Sequence, residues 1–155
     1  MILVIGGAYM GKLSWVKKEY GIADADICDL AEGYEPEKKC YRHLESLTRR
    51  LVTDACGCMT ADPDVKTEES AADRNRKIHG CDVMNRDAGV PEGMAALMNF
   101  PADAIIISRE IGSGVVPVDA SDRRWRDVHG SLLQKLSAEC GSVYRICFGL
   151  AENLK

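Results

Sequence analysis

The stretch Ile2–Ser14, "ILVIGGAYMGKLS", decides the fold of this chain of 155 residues. Its first four residues, Ile2–Ile5, are uniformly apolar, which is typical of a strand buried inside a parallel sheet. A glycine turn follows, and residues Lys12–Tyr20 then have the length and pattern of a helix. The stretch therefore predicts a unit of strand, turn and helix in an α/β domain.

The turn nearly matches the phosphate-binding loop G-x-x-x-x-G-K-[ST]. In such a loop the backbone N–H groups, the positive end of the following helix and the lysine ammonium hold phosphate oxygens. The match predicts a nucleotide-binding site, although glycine-rich turns also occur in α/β proteins that bind nothing. The residues predicted to bind the nucleotide here are Gly6, Gly7, Ala8, Gly11, Lys12, Leu13 and Ser14.

Leu13 stands where the motif has the hydroxyl that binds Mg²⁺, and Ser14 comes one residue late. Three explanations stay open: Ser14 takes the role through a shifted helix start, water fills the position, or the metal is held loosely. Asp29 and Glu110 come at or just after the ends of predicted strands and are further candidate ligands. Because ligands of open α/β sheets bind beyond the carboxyl ends of the strands, the topology favours Glu110. Asp29 is equally well explained as a capping or solvated residue.

Strand-like segments alternate with helix-length segments along the rest of the chain. Further strands are predicted at residues 26–30, 104–108 and 143–148. One helix is predicted from about Glu37 to Val52, and a long one starts near the N-cap candidate Ser121. The first of these rests on helical spacing between Tyr41, Leu44, Leu47 and Leu51. This order predicts an α/β fold with a mainly parallel sheet and helices on both faces.

Composition and charge limit the classes of function. A hydrophobic share of 46% and a charged share of 28% fit one globular domain over residues 1–155, with a polar excursion at about 57–90. The net charge of −4 argues against nucleic acid as a partner. The apolar start has no basic region before it, and no stretch approaches the roughly 18 apolar residues of a membrane span. We therefore expect a cytoplasmic protein.

The seven cysteines are expected to be free thiols, since their number is odd and the expected compartment is reducing. Cys28 and Cys147 lie in apolar segments and are predicted to be buried. Four residues of the type that binds zinc bracket the polar excursion, namely Cys56, Cys58, His79 and Cys81. Their spacing matches no common zinc motif, so cysteines without a special role explain them better.

A second unusual stretch, residues 108–127, combines a strand end, a glycine turn and a cluster of arginines. Gly112 and Gly114 allow a left-handed backbone or the close approach of another group. Arginines on one helix near a phosphate loop would hold an anionic substrate, but an exposed amphipathic helix would carry the same charges. The cluster consists of Arg123, Arg124 and Arg126.

The segments "ILVIGGAYMGK", "REIGSGVVP", "RRWRDVHGSLLQKLS" and "VYRICFGLAENLK" resemble the adenosylcobinamide kinase / adenosylcobinamide-phosphate guanylyltransferase family of cobalamin biosynthesis. The resemblance covers residues 1–52 and 101–155. It implies a three-layer P-loop NTPase fold of the RecA type, phosphorylation of adenosylcobinamide with Mg²⁺ and ATP or GTP, and transfer of GMP to the product. It also implies a small homo-oligomer whose partners are a corrinoid substrate and a nucleotide.

The resemblance carries roles to single positions of this chain. The implied catalytic residues are Lys12, Glu110 and Arg126, and the predicted metal ligands are Ser14 and Glu110. Gly112 and Gly114 would line the nucleotide site, and Arg126 and Gln134 match polar positions on the last helix. The histidine that the family guanylylates belongs between the second strand and the next helix, where this chain has none. His43 falls within the predicted helix, so guanylyl transfer has no nucleophile at the family's position.

Two alternatives stay open. The first is a protein of the same fold that binds a nucleotide or a corrinoid without turnover, in which Leu13 is the substitution that removed catalysis. An unrelated small-molecule kinase with the same loop is the other alternative. Against it stands the lack of an arginine-rich lid helix between the middle strands, because the arginines lie late in the chain.

Overall fold

The computed structural model describes residues 1–55 and 100–155, and a six-stranded sheet forms its centre. The strands are β1 (Ile2–Ile5), β2 (Ile27–Asp29), β3 (Cys40–Arg42), β4 (Ile105–Ile107), β5 (Ser142–Cys147) and β6 (Leu150–Asn153). The helices are α1 (Lys12–Tyr20), α2 (Leu44–Ala55) and α3 (Ala120–Glu139), with a 3₁₀ turn at Asp24–Asp26. The strand order is β2-β3-β4-β1-β5-β6, and only the last pair, β5 with β6, is antiparallel.

The sheet separates two apolar layers because successive residues of each strand point to opposite faces. Leu3 of β1 and Ile106 of β4 belong to the layer that contains the buried leucines of α2 and α3. Val4 and Ile105 belong to the layer on the other face, where Val16 of α1 packs. The predicted α/β fold, with a mainly parallel sheet between helices, is confirmed.

The predicted helix from Glu37 to Val52 is wrong in its first part. Residues Cys40–Arg42 form β3, which lies between β2 and β4, and α2 begins only at Leu44. Cys40 and Tyr41 are fully buried and belong to opposite apolar layers, as neighbours in a strand do. A strand of three residues is too short to show a clear alternation, so the leucines of α2 extend the helical pattern backwards over it.

Smaller differences concern the ends of elements. The strands predicted at residues 26–30, 104–108 and 143–148 are present with shorter or shifted bounds. α3 begins before Ser121 because Asp119 is its N-cap: the Asp119 carboxylate accepts hydrogen bonds from the N–H groups of Ser121 (2.8 Å) and Asp122 (3.2 Å). β6 is not predicted from the sequence, and its residues are all exposed at the edge of the sheet.

The described residues include four of the cysteines, and all four are free thiols: Cys28, Cys40, Cys140 and Cys147. Cys28 is buried as predicted, whereas Cys147 is exposed because it ends β5 beside the turn into β6. The four possible zinc ligands around the polar excursion lie outside the described residues. None of the helices in residues 1–55 and 100–155 is long and apolar enough to cross a membrane. The assignment of residues 1–155 to one domain stays a prediction.

Candidate functional site

The glycine loop joins β1 to α1 at the carboxyl edge of the sheet. Gly6 (φ 151°) and Gly11 (φ 84°) both have backbone angles that favour glycine. A Cβ atom on Gly6 would lie 2.4 Å from the carbonyl oxygen of Ile146 in β5, so a side chain has no room there. α1 starts directly after Gly11, so its unpaired N–H groups and its positive dipole end lie at the loop. This arrangement suits a bound phosphate.

The side chain of Lys12 reaches back across the loop. Its Nζ donates hydrogen bonds to the carbonyl oxygens of Gly6 (3.0 Å) and Gly7 (2.6 Å). Burial lowers the pKa of Lys12, with a further decrease from Arg109 and an opposing increase from Glu45. Phosphate oxygens are charged acceptors and bind an ammonium group more strongly than neutral carbonyl oxygens do. Lys12 therefore lies where the motif needs its positive charge.

A cavity of about 290 Å³ opens on this loop. Its other walls come from the carboxyl ends of β3 and β4 and from the first turn of α2, as expected for a ligand site of an open α/β sheet. Its lining contains two guanidinium groups, one ammonium group and a single carboxylate, so the cavity favours anions. The lining residues are Ala8–Ser14, Arg42, His43, Glu45, Ile107, Ser108 and Arg109.

Glu45, the carboxylate of this cavity, is only 5% exposed. Its Oε2 accepts a hydrogen bond from the backbone N–H of Arg109 (3.0 Å), and its Oε1 lies 3.7 Å from Nε of the same arginine. A buried carboxylate needs such partners because burial removes its hydrogen bonds to water. Carboxylate oxygens are also the ligands that Mg²⁺ prefers. Glu45 therefore links the end of β4 to the charged surface of the cavity.

Behind the cavity wall, His129 of α3 connects α2 to the end of β4. Its Nδ1 lies 2.9 Å from Oγ1 of Thr48, and its Nε2 lies 3.1 Å from Oγ of Ser108 and 3.2 Å from the carbonyl oxygen of Arg109. His129 is fully buried, and burial lowers its pKa, which favours the neutral imidazole. This buried network sets the position of Ser108 and Arg109, both of which line the cavity.

His43 lies between β3 and α2, with its backbone in the left-handed region (φ 61°). Its Nδ1 is 2.8 Å from Oδ1 of Asp29, and the other carboxylate oxygen of Asp29 is 2.7 Å from Arg42. Burial acts to raise the pKa of Asp29, but hydrogen bonds from His43 and from the Ala31 backbone lower it below its usual value. The carboxylate orients the imidazole through Nδ1, and Nε2 makes no hydrogen bond to another residue of the described ranges.

The cavity lining contains residues Ala8 to Ser14. Gly6 and Gly7 lie outside the lining, but their carbonyl oxygens accept hydrogen bonds from Lys12, which is part of it. Leu13 lines the cavity and also packs against the apolar layer of α1. Ser14 is an exposed residue of the lining. The structure therefore brings the motif residues together at one site. Their roles in nucleotide and metal binding stay predictions.

Besides Gly6 and Gly7, four predicted site residues lie outside the cavity lining, namely Glu110, Gly112, Gly114 and Arg126. The Glu110 carboxylate lies 3.4 Å from Nη2 of Arg145 in β5 and accepts a hydrogen bond from Ser113. Arg126 donates a hydrogen bond to the carbonyl oxygen of Gly112. These contacts direct both charged groups toward neighbouring turns and β5, so their roles in catalysis and metal binding stay predictions without support from the cavity.

The charged residues on the cavity wall opposite the glycine loop are not predicted from the sequence. Arg42 and Glu45 fall inside the helix that it predicts, and His43 does as well, although His43 precedes the helix in the structure. Arg109 follows a correctly predicted strand, but its neighbour Glu110 is the residue predicted to act at that strand end. The available signal is the run of polar residues directly after each buried strand end.

Comparisons with known proteins identify the family. The family model described as cobinamide kinase / cobinamide phosphate guanyltransferase matches residues 34–154, well over half of the chain. This chain belongs to that family. The matched segment begins after the glycine loop and includes β3, α2, β4 and α3, which contribute the charged wall of the cavity and the buried network behind it.

Two relatives carry the name bifunctional adenosylcobalamin biosynthesis protein CobU. The protein of Salmonella typhimurium is 27% identical, in an alignment that covers all of this chain and 99% of the relative. The protein of Escherichia coli is 29% identical over 69 residues, which are 44% of this chain and 38% of the relative. The resemblance seen in the sequence is confirmed, and with it the prediction of a nucleotide-using transferase, a kinase of cobalamin biosynthesis.

Proposed function

We propose that this cobinamide kinase family member transfers the γ-phosphoryl group of ATP or GTP, bound with Mg²⁺, to a hydroxyl group of adenosylcobinamide. The observation that supports the proposal is the single cavity shared by Lys12, Glu45 and Arg109, where the glycine loop faces a charged wall. The corrinoid and the nucleotide are its small-molecule partners, and we expect neither nucleic acid nor a membrane as a partner.

The reaction would depend on positioning and on charge. The acceptor oxygen forms a bond to the γ-phosphorus while the bond from that phosphorus to the bridging oxygen of the β-phosphate breaks. The hydroxyl proton passes to Nε2 of His43. Lys12 and the loop N–H groups would hold the phosphates, and Arg42 and Arg109 would neutralise charge on the transferred group.

Mg²⁺ would neutralise charge between the last two phosphates when it is bound. The donors at the cavity that fit it are the Glu45 carboxylate and the Ser14 hydroxyl, both hard oxygen ligands. No three His, Cys, Asp or Glu side chains within residues 1–55 and 100–155 are grouped to hold a metal ion. Phosphate oxygens and water would therefore complete the coordination, which agrees with the motif hydroxyl being replaced by Leu13.

The kinase proposal is tested by incubating the purified protein with adenosylcobinamide, Mg²⁺ and either ATP or GTP, and by resolving the products by mass. We expect a product heavier by one phosphoryl group and equal amounts of nucleoside diphosphate. Nucleotide binding without any phosphorylated corrinoid would instead support the alternative of a binding protein without turnover. Phosphorylation of nucleosides but not of adenosylcobinamide would support the unrelated-kinase alternative.

A second reaction, guanylyl transfer, is favoured by the position of His43, the one histidine among the described residues that line the cavity. Its Nε2 would attack the α-phosphorus of GTP, and the bond to the departing pyrophosphate would break. A phosphate oxygen of adenosylcobinamide phosphate would then attack the same phosphorus, so the N–P bond breaks and a diphosphate forms. Asp29 would stabilise the positive imidazole through Nδ1.

The guanylyl proposal is tested by labelling the protein with GTP that carries a radioactive α-phosphate, without a corrinoid acceptor. We expect label that survives denaturation at neutral pH and is released by acid, as an N–P bond is. His43→Ala should abolish the label, and GTP labelled in the γ-phosphate should leave none. Label of the same yield in His43→Ala would exclude His43 as the nucleophile.

The assembly and the compartment are also proposals. We expect a small homo-oligomer in the cytoplasm, as the family resemblance implies. Three exposed valines follow the turn that contains Gly112 and Gly114 and offer an apolar surface for contact between copies, namely Val115, Val116 and Val118. Sedimentation of the purified protein tests the oligomer, and a monomer at all concentrations would contradict it.

A further inference from the structure

Two large aromatic side chains project from turns beside the glycine loop. Tyr9 is in the loop itself and is fully exposed, and Phe148, in the turn between β5 and β6, is 83% exposed. Both residues have left-handed backbone angles, φ 58° for Tyr9 and φ 53° for Phe148. Bulky residues rarely adopt this conformation, and strained backbones of this kind concentrate at ligand sites.

The two turns are in direct contact. The backbone N–H of Gly149 donates a hydrogen bond to the carbonyl oxygen of Met10 (2.9 Å). A Cβ atom on Gly11 would lie only 3.4 Å from Cα of Gly149. The β5–β6 turn therefore abuts the glycine loop, and a ligand held by the loop extends past this turn if it leaves the cavity on that side.

The charges around the loop determine which end of a nucleotide lies on which side. β1 lies between β4 and β5 in the sheet. On the β4 side the cavity presents Arg42, Glu45 and Arg109, which suit the transferred phosphate and the acceptor. On the β5 side the turn after β5 and the start of β6 expose two apolar side chains, Phe148 and Leu150, while the charge of Arg145 in β5 is paired with Glu110. The nucleoside is the part of the ligand that suits these apolar side chains.

We propose that Tyr9 and Phe148 form the stacking surface for the base of the bound nucleotide. The inference rests on the proposed function, because the phosphates must first be held by Lys12 and the loop. Aromatic rings accept a purine face to face, and each ring that stacks on a base contributes about 5- to 100-fold to affinity. Stacking is tolerant of base identity, so the surface serves ATP and GTP alike.

The test compares nucleotide affinity with the affinity for inorganic tripolyphosphate, which has the charge of the triphosphate but no base. Asn replaces each aromatic residue, because Asn tolerates the left-handed backbone and thus preserves the turn. Dissociation constants of ATP, GTP and tripolyphosphate are measured by calorimetry for the wild type, Tyr9→Asn and Phe148→Asn. Leu154→Asn is the matched control, since Leu154 is also exposed and apolar but lies outside the lining of the cavity at the glycine loop.

We expect Phe148→Asn and Tyr9→Asn to weaken ATP and GTP about 5- to 100-fold, with tripolyphosphate and the control unchanged. An equal loss for tripolyphosphate would overturn the proposal, because the turn would then support the loop rather than the base. Unchanged nucleotide affinity would also overturn it, even if the variants sediment differently and so reveal a contact between copies. Retained kinase activity in that case would leave the proposed function standing, whereas a wild type that binds no nucleotide would refute both.

Discussion

Glu45 Oε2 accepts a hydrogen bond from the backbone N–H of Arg109 over 3.0 Å, although the two residues are 64 positions apart in sequence. The carbonyl oxygen of Arg109 lies 3.2 Å from Nε2 of His129, so both polar groups of this peptide segment have partners on helices. The Glu45 carbonyl group in turn accepts hydrogen bonds from Thr48 and Trp125. The charged wall of the cavity therefore depends on α2 and α3 as well as on the sheet.

Glu45→Gln keeps an acceptor for the Arg109 N–H but removes the negative charge. We expect kcat of phosphoryl transfer to fall about 100-fold, because the variant loses the proposed carboxylate ligand of Mg²⁺ and the negative charge beside Arg109. Circular dichroism and the urea midpoint should change little. Glu32→Gln is the control, since Glu32 is exposed outside the cavity lining. Wild-type kcat in Glu45→Gln would show that the carboxylate has no part in the reaction.

Lys12→Ala removes the ammonium from the glycine loop. We expect phosphoryl transfer to fall by about 100- to 1,000-fold, since one preorganised charge on the transferred phosphate is lost. The matched control is Lys18→Ala on the same helix, whose side chain is exposed. Steady-state kinetics with ATP and GTP measure the effect, and equal losses in both variants would assign it to the helix instead of the loop.

Leu13→Ser restores the hydroxyl that the phosphate-loop motif places before a bound Mg²⁺. We expect half-maximal kinase activity at a lower Mg²⁺ concentration than in the wild type. The variant should also lose about 1–2 kcal/mol of stability, because Leu13 is half-buried against the α1 layer. Leu13→Ala gives the same packing loss without the hydroxyl. An identical Mg²⁺ dependence in Leu13→Ser and Leu13→Ala would contradict the expectation.

His129 gives the fold a pH dependence in mildly acidic solution. Burial lowers the pKa of His129 below its ordinary value of 6.5, so the unfolded chain takes up a proton at a higher pH than the folded chain does. The free energy of unfolding should therefore decrease as the pH falls below about 6.5. Urea unfolding at pH 8 and pH 5.5 measures this decrease.

The control for this pH dependence is His129→Gln, which does not titrate but can still hydrogen-bond Thr48 and Ser108. We expect it to be less stable than the wild type at pH 8 by about 1–3 kcal/mol, because one polar group replaces a well-fitted ring. It should lose less stability on acidification than the wild type. The same loss in both proteins would assign the pH effect to other groups.

Asp29 stabilises the fold at neutral pH through His43 and Arg42. Hydrogen bonds from His43 and Ala31 outweigh burial and hold the pKa of Asp29 below its ordinary value of 3.8. Its contribution is therefore complete above that value and is lost as the pH falls through the lower value of the folded state. Asp29→Asn should cost about 2 kcal/mol at pH 7, measured by urea unfolding. Glu37→Gln, at an exposed position, should cost nothing measurable.

Local signals in the sequence predict β1, the glycine loop, α1, β4 and α3. β1 and β4 are runs of apolar residues, the loop before α1 has a motif with fixed spacing, and α3 is a long helical segment with a capping residue near its start. Gly11 is needed for a local reason, its left-handed backbone at the start of α1, whereas Gly6 is also needed because the carbonyl oxygen of Ile146 in β5 lies beside it. The family resemblance rests on β1 with its loop, the turn at residues 109–117, part of α3 and residues 143–155, and the family match confirms it.

The short strand β3 escapes prediction because three residues carry too little pattern to compete with the helical spacing of the leucines that follow. Because of that error, Arg42, His43 and Glu45 are not predicted to lie at a strand end. Their position at the cavity follows only from the pairing of β3 between β2 and β4. The pairing of Cys40 with Ile105 connects segments 65 residues apart, which no local pattern encodes.

The sequence by itself determined the glycine loop and its match to the phosphate-binding motif, because that motif consists of consecutive backbone groups and one lysine. Only the tertiary structure decided which carboxylate and which imidazole lie opposite that loop. Glu110 follows a predicted strand end, but its carboxylate pairs with Arg145, whereas Glu45 and His43 come to the cavity from another strand end. The physical reason is that side chains at the edge of a parallel sheet are brought together by strand order, and strand order depends on packing between distant segments.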